Sequence, residues 1–373
     1  MCAYDVHTFI LYILTHIFSP YLFYNHTSKA FWQLIIFAFP MVLGGTGLTA
    51  LVAGNILPYS WSTSLCMTFG AILSGTDPIA VQSLLASAGA PHRLNMHISG
   101  ESLLNDGSVV VLFNIFSSLF FYELDIPAGF GTFSVGEGFV YFFRLALGGC
   151  AIGSAFGLGT VMMLKMLNRR LSEEENVVQV VLTVSSAYLA YFTSEILCLC
   201  SGIMATIACG ITVKVLGETF INDHALTLHF WQVTAELLNT LLFVLGGLLW
   251  GDLLSDETFT ATGEDWGYLA LLFVILIAIR FLLVFGLYPV TTRIGIGTNL
   301  KESVFMSFGG FRGSVGIALA LSLEAQVYNN TNSTEDEDIR RSTDQLFFMV
   351  GGISVFTLLI NGMAAGPLLS SVS

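Results

Sequence analysis

Charge is what this sequence has least of. Charged residues fill 10% of its 373 positions, where soluble domains carry roughly 25%. So few charges cannot cover the surface of a soluble fold of this size, which excludes a large water-soluble domain. Lys and Arg are scarcer still, 13 against 26 Asp and Glu, and they form no stripe of the kind that binds nucleic acid. Much of the acid behind the net charge of −13 sits in two stretches, Asp252 to Asp265 and Glu335 to Asp338. The six cysteines (Cys2, Cys66, Cys150, Cys198, Cys200 and Cys209) include no CxxC pair. Most lie in apolar runs and read as small buried hydrophobes, not as a metal site or disulfide framework. The seven histidines lack HExxH spacing, and no Ser/His pairing suggests an intramembrane enzyme. The N-terminus lacks the basic region and small-residue cleavage site of a signal peptide. There is no fixed-period repeat.

What the sequence has in their place is apolar length. Hydrophobic residues make up 54% and fall into blocks of about 20, the length an α-helix needs to cross a hydrocarbon core. The expected fold is an all-α polytopic membrane protein with about 10–11 transmembrane helices. The spans fall near 31–55, 62–87, 98–123, 138–167, 177–197, 200–217, 228–252, 267–292, 302–324 and 345–370, with an eleventh apolar stretch at 8–23. By domain, residues 1–30 form a partial helix and a cytoplasmic loop, 31–370 the transmembrane domain, and 371–373 the C-terminal end. Lys165, Arg169 and Arg170 end one helix, and Arg293 and Lys301 flank a loop four helices later. Both loops therefore lie on one side, with His92 and Arg93. Basic short loops face the cytoplasm, which puts the C-terminus there and the loops 124–137, 253–266 and 325–344 outside. Gly149, Gly153 and Gly157 have the small-xxx-small spacing that lets two helices approach closely.

Charges inside these runs cost about 2.5–3.5 kcal/mol each on insertion scales, and three segments keep them. In the first, Gly75-Thr76-Asp77-Pro78 lies within the 62–87 span. Proline removes a backbone donor and glycine weakens the helix from the other side. A break is expected there, with free carbonyls beside the Asp77 carboxylate. The second is Gly100-Glu101-Ser102-Leu103-Leu104-Asn105-Asp106. Residues four apart share a helix face, so Glu101 with Asn105 and Ser102 with Asp106 line one polar sector. Their oxygens suit a hard cation stripped of its water. In the third, Arg280 stands alone in 267–292, and Arg312 sits in Gly309-Gly310-Phe311-Arg312-Gly313, a glycine cluster that predicts a second broken helix. A buried arginine asks for a carboxylate, and Glu101 is the natural partner for one of them. Glu195 and Glu236, near span ends, read as interfacial or structural.

GTDPIAVQSLL (75–85), GESLLND (100–106) and GGFRGSVGIALALSL (309–323) resemble, in order, the signature segments of sodium/proton exchangers. These are the electroneutral branch of the monovalent cation:proton antiporters. PYSWSTSL (58–65), LHFWQVTAELLNTLLFVLGG (228–247) and LYPVTTRIG (287–295) are similar to the plant salt-overly-sensitive type, and the resemblance covers about residues 18–370. It implies an elevator-type antiporter, usually homodimeric, with two discontinuous helices crossing at mid-membrane and core helices near 62–123 and 267–370. By the same resemblance Asp106 matches the essential carboxylate that binds the cation or the proton. Asp77, Asn105, Ser102 and Thr76 match further ligands or support, so sodium is expected at Asp106 and Asp77. Glu101 and Arg280 match a structural ion pair, and Arg312 the arginine of the second broken helix. Gly75, Pro78, Gly309, Gly310 and Gly313 mark the breaks.

The resemblance implies no cofactor, only transported Na⁺ and H⁺, and no enzymatic activity. Membrane lipids and a second copy of the chain are the implied partners. The implied roles are pH regulation, sodium homeostasis and salt tolerance at the plasma membrane, with an endomembrane as the alternative. Ligand type does not rank sodium against potassium or lithium. Members usually carry two or three helices before the point where this sequence starts, and the salt-overly-sensitive type a long tail. Tyr24 stands where the family segment has an acid. A transport-incompetent or regulatory fragment is the alternative reading. The topology is testable through its N-x-S/T sequons. Asn329 and Asn332 fall outside the cell and are expected to carry glycan, whereas Asn25 is expected to stay bare. After expression in a eukaryotic membrane, Asn329→Gln with Asn332→Gln should abolish the endoglycosidase-sensitive gel shift. A shift lost only with Asn25→Gln would reverse the topology.

Overall fold

Backbone that crosses lipid must satisfy its N–H and C=O groups within the protein, which favours helices. The computed structural model describes residues 36, 38–77, 92–124, 135–168, 176–255, 261–294, 299–330 and 337–372, and among them there is no strand. In chain order the α-helices are α1 (Pro40–Ile56), α2 (Thr63–Ser74), α3 (His92–Glu123), α4 (Val135–Leu167), α5 (Val177–Phe192) and α6 (Gly202–Thr212). They continue as α7 (His224–Ser255), α8 (Gly263–Thr291), α9 (Leu300–Phe308), α10 (Ser314–Asn330), α11 (Glu337–Phe356) and α12 (Gly362–Val372). Single π-helical turns follow α5 (Thr193–Leu197), α6 (Val213–Gly217) and α11 (Thr357–Asn361). Seven helical stretches among the described residues are long and apolar enough to cross a membrane. Large apolar side chains such as Leu147, Met162, Leu248, Val274 and Leu282 stand exposed on them. That outward apolar surface is what a lipid solvent selects.

The described residues form two compact units, one within 133–241 and the other within 36–132 and 242–372. In the first, α4 packs on α6 along the glycine stripe. A Cβ on Gly149 or Gly153 would run into the Ser201 or Ala205 carbonyl, and one on Gly157 into Thr212. Glu195, in the π-turn after α5, accepts the N–H of Gly202 at 2.7 Å and so caps the start of α6. In the second unit, Met41, Leu94, Val284, Phe305 and Phe311 share one buried cluster. Gly70 brings α2 against the Thr46 carbonyl of α1, and Thr46 Oγ1 lies 3.1 Å from Ser74 Oγ. Between α1 and α2 the Tyr59 hydroxyl donates to Asp265 Oδ1 at 2.6 Å, tying that connection to the first turn of α8. Burial, and then the neighbouring carboxylate, hold the Tyr59 phenol above its ordinary range.

Several boundaries differ from those expected. The 62–87 span stops as helix at Ser74, and 302–324 is split into α9 and α10. The stretch 325–344, expected as a loop, is mostly helical, because α10 runs on to Asn330 and α11 begins at Glu337. Polar ends there hold each other, with Tyr328 donating to Asp344 at 3.2 Å and Arg340 lying over the Tyr328 ring. Asn329 is thus exposed on a helix end. Asn25, Asn332, Pro78 and the stretch 8–23 lie outside the described residues. Cys198 is exposed, unlike the buried Cys66, Cys200 and Cys209.

The α4–α6 contact makes a sharp prediction. Gly153→Val should overpack it by about 1–3 kcal/mol and lower the thermal denaturation midpoint in detergent by a few degrees. Gly159→Val, on the same helix with nothing within 4 Å, should leave the midpoint unchanged.

Candidate functional site

Helix α2 starts on a Ser62 cap, whose side chain accepts from Leu65 N–H at 3.3 Å. It ends at Ser74, where Gly75 turns extended at φ −65° and ψ 144°. Residues 75–77 then carry backbone groups with no helical partner, and three polar groups at this end, counting the Ser74 carbonyl, are taken up from elsewhere. The Gly75 carbonyl accepts from Arg312 Nη1 at 2.8 Å. The Ser74 carbonyl accepts from Asn105 Nδ2 at 3.4 Å. Asp77 N–H donates to the Phe311 carbonyl at 2.9 Å. That last bond joins the first break directly to the second.

The second break lies between α9 and α10. A capping box of Asn299 and Glu302 opens α9, and residues 309–313 are non-helical. Arg312 N–H donates to Thr357 Oγ1 at 3.2 Å. The Phe308 carbonyl accepts from Asn361 Nδ2 at 3.2 Å, and the Met306 carbonyl from Arg280 Nε at 3.1 Å. The glycines here make room more than they bend the chain. A Cβ on Gly310 would meet the Arg280 side chain, and one on Gly313 the Asp77 carboxylate. Gly309, at φ −74°, holds a backbone open to any residue.

Helix α3 supplies the third wall. Glu101 Oε1 accepts from Arg280 Nη2 at 2.6 Å, with both side chains buried. One turn on, Asn105 Nδ2 donates to Thr76 Oγ1 at 3.1 Å, and its buried Oδ1 makes no hydrogen bond. Asp106 and Asp77, 4% and 5% exposed, line one small cavity with Thr76, Gly75, Arg312 and Gly313. It holds about 10 Å³ of water-sized space, the threshold for one small occupant. Carboxylate, hydroxyl and carbonyl oxygens are hard donors of the kind alkali cations prefer. Among the described residues, no group of three His, Cys, Asp or Glu is arranged to hold a resident metal.

The structure therefore brings Asp77, Asp106, Thr76 and Asn105 together and sets Glu101 against Arg280. Ser102 is buried on α3 but does not line the cavity. Arg312 gives its Nη1–H to a neutral carbonyl where a carboxylate partner is expected. Sequence reasoning missed Ser354, which lines the cavity, and Thr357 and Asn361 beside it. The available signal was three polar residues on the apolar span 345–370, the last two of them four apart.

Breaking the Glu101–Arg280 pair from one side leaves a buried charge uncompensated, at a cost of about 3–5 kcal/mol. Glu101→Ala and Arg280→Ala should each reduce the monodisperse fraction in size-exclusion chromatography. Glu101→Arg combined with Arg280→Glu should recover more folded protein than either single charge reversal.

The family model for the sodium/hydrogen exchanger transmembrane region matches residues 18–371. Over 343 residues the chain is 32% identical to sodium/hydrogen exchanger 7 of Arabidopsis thaliana, covering 91% of this chain and 28% of that protein. It is 31% identical over 368 residues to sodium/hydrogen exchanger 8 of the same plant, covering 96% and 46%. The chain thus spans less than half the length of these two curated relatives. In fold it is similar to the solved sodium proton antiporter MjNhaP1 from Methanocaldococcus jannaschii. The TM-score is 0.76 at 18% identity, over 99% of this chain and 85% of that one. With an all-helical architecture, apolar spans and a family match over nearly its whole length, the chain belongs to the sodium/hydrogen exchanger transmembrane family of multi-pass membrane proteins.

Proposed function

We propose that this chain is a secondary antiporter that exchanges sodium for protons across a membrane. One observation carries the reading: Asp77 and Asp106 line one small buried cavity at the crossing of two interrupted segments. Burial favours the protonated form of a carboxylate, and an adjacent cation favours the ionised form. Sodium and a proton therefore compete for the same acid, and Asp106 holds one or the other. Asp77, Thr76 and free carbonyls of the breaks supply further oxygens, while Asn105 orients Thr76. The names of the relatives, which are exchangers and antiporters, support the same cargo.

The charge of the crossing supports an electroneutral exchange. Three carboxylates (Glu101, Asp77 and Asp106) face two guanidiniums (Arg280 and Arg312). With all of them ionised one negative charge is left over, and one sodium ion or one proton cancels it. An uncancelled charge is costly at membrane depth, so the empty site resists moving and the loaded one does not. Loaded, the site passes between the two faces by an elevator movement. The transporter works as a homodimer in lipid, serves pH and sodium homeostasis and salt tolerance, and sits in the plasma membrane with its C-terminus in the cytoplasm, where basic loops lie.

Purified protein in liposomes with a lumenal pH dye tests this. An imposed sodium gradient should drive proton movement of opposite direction, and clamping the membrane voltage should leave its rate unchanged. Asp106→Asn should bring the rate to background. Exchange persisting in that variant would place the competing ions at another acid.

A further inference from the structure

The last long helix does not run regularly past the site. After α11 it opens into the π-turn Thr357–Asn361 before α12, and such turns recur at functional positions in helices. Both ends of this turn hold the second break. Thr357 has one hydroxyl proton, and it goes to the Ser354 carbonyl at 3.0 Å. A lone pair is left facing the Arg312 N–H at 3.2 Å. Asn361, one position from α12, puts its amide on the Phe308 carbonyl at 3.2 Å. One turn thus takes up the acceptor just before residues 309–313 and a donor within them. Helix α11 also carries Val350 and Ser354, which line the cavity beside Asp77 and Asp106. Ser354 is therefore both cavity wall and the acceptor that orients Thr357. The held segment contains Gly313, packed on the Asp77 carboxylate, and Phe311, whose carbonyl accepts Asp77 N–H.

We propose that the π-turn is a clamp, with Thr357 and Asn361 as positioning residues that set the second break against Asp77. The clamp thereby fixes how tightly the cavity holds its cation. The second half of this inference rests on the exchange reading above; the first half does not. Arg312 is buried, so the loss of its acceptor leaves a buried donor orphaned. The break then relaxes toward other partners, and the Asp77 carboxylate shifts with it.

The test uses Thr357→Val, which keeps the shape and deletes the acceptor, beside Thr357→Ser, which keeps the acceptor. Asn361→Ala is the second probe should Thr357→Val fail to fold. Hydrogen–deuterium exchange is followed on peptides covering 309–314, and half-saturating sodium is measured in proteoliposomes. Thr357→Val should accelerate deuterium uptake there and raise half-saturating sodium roughly tenfold, in keeping with one orphaned buried donor. The maximal rate should change less, and Thr357→Ser should match the wild type in both readouts. Unchanged deuterium uptake in Thr357→Val overturns the clamp. Faster uptake with unchanged half-saturation, in protein that exchanges, overturns its link to the cation. If the wild type itself does not exchange, the function proposed above fails, and the deuterium readout alone decides the clamp.

Discussion

Non-helical backbone at membrane depth persists only where the protein or a water-filled cavity satisfies its polar groups. In this chain that single requirement organises the second unit. The orphaned groups of 75–77 and 309–313 meet each other through Asp77 N–H and the Phe311 carbonyl. Arg312, Arg280, Asn105, Thr357 and Asn361 take up further backbone groups in or next to these two segments. Asn105 of α3, Arg280 of α8, and Thr357 and Asn361 of the π-turn all bond to backbone at the breaks. The carboxylates of the cavity occupy the same junction, so the groups that complete the backbone also shape the cation's surroundings.

Burying charge adds a second constraint. Glu101 and Arg280 satisfy each other at 2.6 Å, and Arg280 also donates to the Met306 carbonyl. One guanidinium therefore serves both the ion pair and the second break. A lysine could not do this, because only the planar fork presents separated donors in fixed directions. The pair thus fixes α3, α8 and α9 relative to one another, and with them the face of α3 that carries Asn105 and Asp106.

Much of the site was legible from residues alone, and the reasons are local. Gly75-Thr76-Asp77-Pro78 announces a break because glycine and proline weaken a helix whatever surrounds them. Glu101, Ser102, Asn105 and Asp106 announce a polar sector because helical periodicity is fixed. Other features were not legible. Gly310 and Gly313 read as helix weakeners, yet the structure uses them to admit Arg280 and Asp77. Thr357 and Asn361 are polar residues in an apolar run, and nothing local names their partners Arg312 and Phe308. Ser102 shares the sector with Asp106 but does not line the cavity, since a sector some 100° wide does not say which part faces a neighbour.

By itself the sequence determined an all-α, multi-pass membrane protein, two weak points in its helices and the acids beside them. Hydropathy, propensity and periodicity act within a single segment, so one segment suffices to read them. Tertiary structure alone decided that the two breaks bond to each other, that Asp77 and Asp106 share a cavity, and that the π-turn holds the second break. Those contacts join residues from 29 to 237 positions apart, and no local rule of the chain encodes which distant partner will satisfy a given orphaned group.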